Sequence, residues 1–321
     1  MNMKTIANKK ALVYNYSWKI RGVKGMGLEL KNVCKNFGTK QAVKNLNLTI
    51  DKPGVYGLLG TNGAGKTTTI RMILGIIKKT SGTITWNGKE ITRENVNFGY
   101  MPEERGVYPK TKIYDQLVYF ARLKGMNARE ADKAIEYWLK RLNMEEYKYM
   151  LAEKLSKGNQ QKIQFMIAVM NDPELIVLDE PFSGLDPVNT ELLSEVMKEL
   201  IAKGKYIIMS SHQMSSIEDF CTDLSILNRG NTVLQGNLER IKKSYPSETL
   251  EVVTDEKIES FIKDSGLELV EKRGSLYIIK QKEEKQGEDL LKRLISSNIY
   301  ITKFEMKKPT LNEIFIEKVG A

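Results

Sequence analysis

The 321-residue sequence contains one histidine, His212, and two cysteines, Cys34 and Cys221. The cysteines lie far apart and fit no metal-ligand spacing, so both are expected as free thiols in a reducing compartment. No apolar run reaches the roughly 18 residues that a membrane-crossing helix needs. The N-terminus is basic but has no apolar segment of the kind a secretory signal requires. A basic stripe is missing as well, although the formal net charge is +10. Lys4, Lys9, Lys10, Lys19, Arg21 and Lys24 supply +6 of it, and residues 1–25 hold no acidic residue. Over the rest of the chain both signs are interspersed, without the interleaved aromatics of a strand-binding groove. Nucleic acid is therefore not an expected partner. What remains is 41% apolar and 28% charged, ordinary for a soluble globular protein and long enough for two domains.

Against that background, residues 60–67 read GTNGAGKT, a full match to the phosphate-binding loop G-x-x-x-x-G-K-[ST]. Glycines let backbone N–H groups turn inward around a polyphosphate. Lys66 reaches the β- and γ-phosphates, and the Thr67 hydroxyl faces Mg²⁺. VYGLLG before the loop has the character of a buried strand, and TTIRMILGII after it has helical spacing. The phosphates would then sit at a helix N-terminus, where anions are favoured. A random chain of this length matches the pattern on the order of once in a hundred by composition alone, and the strand and helix on either side make chance less probable still.

The chain divides into three parts. Residues 1–26 are basic and match nothing downstream. They are expected as a disordered extension or an upstream start, with ALVYNYSWKI on anionic lipid as the alternative. Residues 27–240 alternate apolar runs with amphipathic stretches, the pattern of an α/β domain with a largely parallel sheet. LIVLD (175–179) and YIIMSS (206–211) read as inner strands covered on both faces. Between them and the phosphate loop, about 103–172, the signal is helical and reads as an inserted helical subdomain. Residues 246–321 run β-α-β-β-α-β, a split βαβ or ferredoxin-like α+β unit, and LNEIFIEKV closes the chain as a short helix.

Three further constellations carry chemistry. LIVLDE ends an apolar strand in Asp179 and Glu180, one placed to hold a Mg²⁺ shell and the other to polarise an attacking water. Taken alone, such a pair more often caps a turn. LSKGNQQK (155–162) precedes a helix, so Ser156 and Gly158 would present a hydroxyl and free N–H groups to an anion; an ordinary N-cap is the plainer alternative. His212 follows YIIMSS at the carboxyl end of a parallel strand, where α/β sheets bind ligands, and could donate to a γ-phosphate.

In order and spacing, GTNGAGKT, LSKGNQQK, LIVLDEP, SGLD and SSH resemble the Walker A, signature, Walker B, D-loop and switch-histidine motifs of ABC ATPase subunits. The resemblance covers residues 27–240 and implies a P-loop NTPase fold of ABC type. It implies that Gly60, Asn62, Gly63, Gly65, Lys66, Thr67 and Thr68 contact ATP. It also implies that Phe37 stacks on adenine, core packing being the alternative, and that Asp186 communicates across a dimer. Two departures stand out. Lys157 and Asn159 replace a glycine and the glutamine of the usual LSGGQ, while Ser156 and Gly158 are kept. Glu103 stands where the family has glutamine, and could hydrogen-bond water or Mg²⁺. GYMPEERGVYP, LSKGNQQK and the terminal PTLNEIFIEKVG resemble bacterial ATP-binding subunits of type-2 exporters, such as sodium-export and drug-resistance ATPases.

The resemblance implies an ATPase working as a dimer on the cytoplasmic face of the membrane, beside a permease on a separate chain. ATP bound at Lys66 and Thr67 of one subunit would be covered by Ser156 and Gly158 of the other. Glu180 would orient water, Thr67 and Asp179 would hold Mg²⁺, and Lys66 and His212 would offset charge. The alternatives are a soluble ABC protein acting on ribosomes or DNA, and an ATP-dependent sensor without transport. One phosphate loop and no sustained heptads argue against the first.

Overall fold

The computed structural model describes residues 27–92, 96–104, 106–211 and 214–320. The basic segment 1–26 and His212 lie outside the described residues. The chain opens with strands β1 (Leu28–Phe37), β2 (Lys40–Ile50) and β3 (Gly54–Gly60), then helix α1 (Lys66–Ile73) and strands β4 (Ser81–Trp86), β5 (Lys89–Glu90) and β6 (Phe98–Met101). Helices α2 (Ile113–Leu123), α3 (Ala128–Arg141) and α4 (Lys157–Val169) follow, then β7 (Leu175–Asp179), α5 (Pro187–Ala202), β8 (Tyr206–Ser211), α6 (Met214–Phe220), β9 (Cys221–Asn228), β10 (Asn231–Asn237) and α7 (Leu238–Ser244).

A six-stranded sheet runs in the order β10-β9-β3-β8-β7-β6 and is parallel except for the edge pair β9/β10. Every residue of β3, β7 and β8 is buried, which is why these strands read as near-continuous apolar runs rather than alternating ones. A second, antiparallel sheet, β2-β1-β4-β5, packs beside it. The alternation in these strands is broken by register shifts along β1, and the sequence pattern did not separate them from the parallel sheet.

Helix α5 shows how local signals fix an element. Asp186 caps it by accepting from the Asn189 N–H at 2.9 Å, and Pro187 occupies the first turn. Leu193, Val196, Met197 and Leu200 recur on one face and are buried. The helix stops at Gly204, whose φ of 77° closes the turn with a bond to the Ile201 carbonyl at 2.9 Å. Arg141 on α3 reaches Glu199 at 2.7 Å and Glu195 at 3.3 Å, tying the inserted helices to α5.

The last part comprises β11 (Thr249–Val253), α8 (Glu259–Asp264), β12 (Glu268–Arg273), β13 (Leu276–Lys280), α9 (Glu284–Ser296), β14 (Lys303–Lys307) and α10 (Leu311–Val319). Its sheet order is β12-β13-β11-β14, antiparallel throughout, the arrangement of a split βαβ unit. Leu250, Val252, Tyr277 and Ile279 pack on the helices through Ile262, Leu290 and Leu294. The terminal helix α10 does not join that cluster. Its Leu311 and Ile314 are buried in the core beneath the six-stranded sheet. The Leu311 N–H donates to Glu218 on α6 at 2.6 Å.

Candidate nucleotide site

The carboxyl ends of β3, β7 and β8 meet the N-terminus of α1, the position at which open α/β sheets take ligands. In register, Asp179 lies beside Ser210, and Ser211 beside Leu59. The loop from Gly60 to Thr67 crosses this edge. A Cβ on Gly60 would lie 2.5 Å from the Leu227 carbonyl oxygen, and one on Gly65 2.7 Å from that of Ala42. Both glycines have positive φ, 151° and 111°, so the backbone path is closed to other residues by sterics as well as by conformation. Asn62 is exposed at the rim and Thr68 is half-buried on the first turn of α1.

Lys66 is 8% exposed, and its ammonium donates to the carbonyls of Gly60 at 2.6 Å and Thr61 at 3.3 Å. The Thr67 hydroxyl donates to Asp179 at 3.5 Å. A hydroxyl and a carboxylate from two distant segments thus share one spot, a hard-oxygen set of the kind that suits Mg²⁺. Asp179 is 1% exposed and accepts from the Ser210 hydroxyl. Burial pushes its carboxyl above the usual range, and the charges of Glu103 and Glu180 add to this against the pull of Ser210 and Lys66. Glu103 is exposed, yet its charge acts on Asp179, so the two belong to one electrostatic neighbourhood.

Glu180 is 6% exposed and has φ of 55°, left-handed backbone that is unusual for a residue with a Cβ. Its carboxylate accepts from the Ser211 hydroxyl at 3.1 Å. Residues held in such conformations persist where the surroundings over-determine them, and they cluster at active sites.

The remaining expected residues form separate groups. Ser156 caps α4 by accepting from the Asn159 N–H at 3.2 Å. Gly158 packs against the loop that carries Asp186, and a Cβ there would meet Leu185 at 3.4 Å and the Gly184 carbonyl at 3.5 Å. Asp186 is held below the usual carboxylate range by the Asn189 backbone N–H and side chain. Phe37 is 51% exposed at the end of β1, with the Lys35 ammonium 4.7 Å from its ring centroid. Exposure rules out the core-packing alternative for this ring.

Four participants were not picked out from sequence. Ser210 and Ser211 donate to the two carboxylates, and Gln161 and Gln164 are buried on α4. The sequence carries little signal for the glutamines, because Gln161 stands in the polar run KGNQQK and only Gln164, between Ile163 and Phe165, has apolar neighbours.

A family model described as ABC transporter matches residues 43–183, and one for the C-terminal domain of DrrA1-3-like ATP-binding proteins matches residues 236–319. The ABC transporter ATP-binding protein YhaQ of Bacillus subtilis (strain 168) is 46% identical over 295 residues, which is 92% of this chain and 99% of YhaQ. The linearmycin resistance ATP-binding protein LnrL of the same organism is 28% identical over 305 residues, 91% of this chain and 98% of LnrL. A solved structure of an ATP-binding subunit of an ABC transporter superposes with a TM-score of 0.63 at 29% identity, covering 68% of this chain and 93% of that one.

Proposed function

The chain belongs to the family of ABC transporter ATP-binding proteins, and from that premise we propose how its own residues bind and hydrolyse ATP and what they drive. It is an ATP-binding transporter subunit and an ATPase. On this reading Lys66 and the backbone of residues 60–67 hold the β- and γ-phosphates, with Asn62 and Thr68 at the rim and Phe37 against adenine. Mg²⁺ bound through Thr67 and Asp179 would neutralise charge on the β- and γ-phosphate oxygens. Glu180 accepts a proton from the attacking water, and the Ser211 hydroxyl orients its carboxylate. His212 donates to the γ-phosphate, and Glu103 orders water at the edge of the site. The observation that carries this reading is the Thr67–Asp179 contact at 3.5 Å across 112 residues, with Glu180 held beside it.

Ser156, Gly158 and Asp186 form a group of their own, with Ser156 and Gly158 at the start of α4 packed on the loop in which Asp186 caps α5. This supports a dimer in which each subunit's signature covers the nucleotide of the other. A separate permease supplies the membrane path, since no helix among the described residues is long and apolar enough to cross a membrane. Its docking place on this reading is the inserted helical region, where Tyr114, Val118, Tyr119 and Arg122 line a groove of ≈ 480 Å³. The subunit then works peripherally on the cytoplasmic face. Export is favoured by the resistance named for LnrL. The same reading treats 27–240 as the ATPase unit with an insert at about 103–172, and 246–321 as an accessory unit whose last helix returns to the ATPase core.

Lys66→Ala tests the nucleotide assignment: ATP binding should be lost in a variant that stays folded, and normal binding would overturn it. Fractionation tests the transport assignment. The chain should sediment with membranes and be released by alkaline carbonate. Recovery wholly in the soluble fraction would favour a sensor or other soluble ABC ATPase.

A further inference from the structure

Helix α4 begins at the signature and ends in the core. It carries two glutamines three residues apart, Gln161 and Gln164, 5% and 3% exposed. Gln161 Nε2 donates to the carbonyl of Glu180 at 3.0 Å and that of Pro181 at 3.1 Å. Gln164 Nε2 donates to the carbonyls of Pro102 at 2.9 Å and Glu104 at 2.8 Å. The second pair brackets Glu103. Each amide therefore places both of its hydrogens on backbone at or beside an acidic residue of the site. The assignment of nitrogen and oxygen follows from chemistry, because four carbonyl acceptors leave only the NH₂ ends compatible.

The two contacts differ in what they restrain. Glu180 sits in left-handed backbone, which relaxes unless held. Its N–H donates to the Ser210 carbonyl at 3.0 Å, and Gln161 takes the carbonyl on the other side of the same residue. Residues 102–104, just after β6, lie outside any strand or helix, and Gln164 spans them. Ser156 caps the same helix, about one and a half turns before Gln161. A helix transmits a shift at its first turn to side chains one and two turns along without bending.

We propose that Gln161 and Gln164 are positioning residues that lock Glu180 and Glu103 to the signature helix of their own chain, so that seating Ser156 and Gly158 on the second subunit's nucleotide sets the attacking geometry in the first. This rests on the assignment of Glu180 as the base. The helix that completes one ATP site is thereby the helix that aligns the other.

The test is Gln161→Met in the full chain, which keeps the volume and removes the donor. Expected is a loss in kcat on the order of tenfold to a hundredfold, as for a small misplacement of a reacting group, with KM and ATP binding changed less than about twofold by the same logic. Gln164→Met should show the same split with a smaller loss. Added to Glu180→Gln, Gln161→Met should cost no further turnover, because it acts through that carboxylate. A multiplicative loss in the double variant, or unchanged kcat in Gln161→Met while Glu180→Gln is inactive, overturns the inference alone. Full turnover in Glu180→Gln overturns the assignment of the base and this inference with it. If Gln161→Met does not fold, Gln161→Asn, whose amide is one bond short, should give the same kcat-against-KM split, and its absence counts against the inference equally.

Discussion

Asp179 and Glu251 are both carboxylates on the strands of a sheet, and their surroundings drive them in opposite directions. Asp179 ends β7 in a sheet covered on both faces, and burial raises its carboxyl above the usual range. Glu251 lies mid-strand on β11, where buried and half-buried residues alternate. There Lys303 and Lys307 hold its carboxyl below the usual range. In the half-covered sheet one face meets water, so charge is cheap and pairs with its neighbours. In the doubly covered sheet an ionised group is costly, and on β7 and β8 the carboxylate and the serines stand at the carboxyl ends, as Asp179, Ser210 and Ser211. On the proposed function, a charge that destabilises its own fold there is kept for the chemistry of the site.

The largest effect that could break this contrast is on turnover. Glu180→Gln should lower kcat by about 10²- to 10⁴-fold, the usual contribution of a general base, while ATP binding stays. Steady-state hydrolysis at the parent rate would remove Glu180 from the chemistry. Next in size is the core itself. Ile208→Ala in β8, a residue 2% exposed, should cost about 2–5 kcal/mol in denaturant unfolding. A loss no larger than that of an exposed site would mean that β8 is not covered on both faces.

Asp179→Asn sharpens the contrast by separating stability from function. Burial raises the Asp179 carboxyl in the folded chain, so ionisation opposes folding. Its contribution is fully favourable below the unfolded value and is lost as pH rises through the raised folded value. Without nucleotide or metal, the amide should therefore stabilise the protein at pH 7 by about 1 kcal/mol, in the range found where a strained site is relieved. The gain should shrink toward pH 4, and hydrolysis should be lost. Lower stability at pH 7 would show that Asp179 is better accommodated than its burial implies.

Much of this was legible because the sequence carries it locally. The phosphate loop needs glycine at Gly60 and Gly65 for reasons of backbone and close approach, and such needs leave fixed spacing. β7 and β8 announce themselves as apolar runs, and the order of the accessory unit follows from alternating strands and amphipathic helices. Long-range partners were less visible. The antiparallel sheet of β1, β2, β4 and β5 was hidden by irregular register along β1. Nothing in PTLNEIFIEKVG says that Leu311 and Ile314 belong to the ATPase core, because an apolar helix face does not name what it packs on. Gln161 and Gln164 look like surface polar residues until their carbonyl partners, 19 to 62 residues away, are in place.

The smallest expected effect belongs to the accessory sheet. Glu251 accepts from Lys303 at 2.8 Å and also from Lys307, but both lysines are over 40% exposed. Solvent screens such pairs, so Glu251→Ala should cost between about 0 and 1 kcal/mol at low salt, and less at 1 M. The sign with pH is opposite to that of Asp179. Because the lysines lower the folded-state value, the stabilisation is present above the unfolded pKa, about 4.3, and is lost as pH falls through the lowered value. Unfolding of the Glu251→Ala and parent chains should thus converge in acid and separate slightly at neutral pH. A cost of several kcal/mol, insensitive to salt, would mean that this face is buried in the working protein, and the two sheets would then no longer differ in kind.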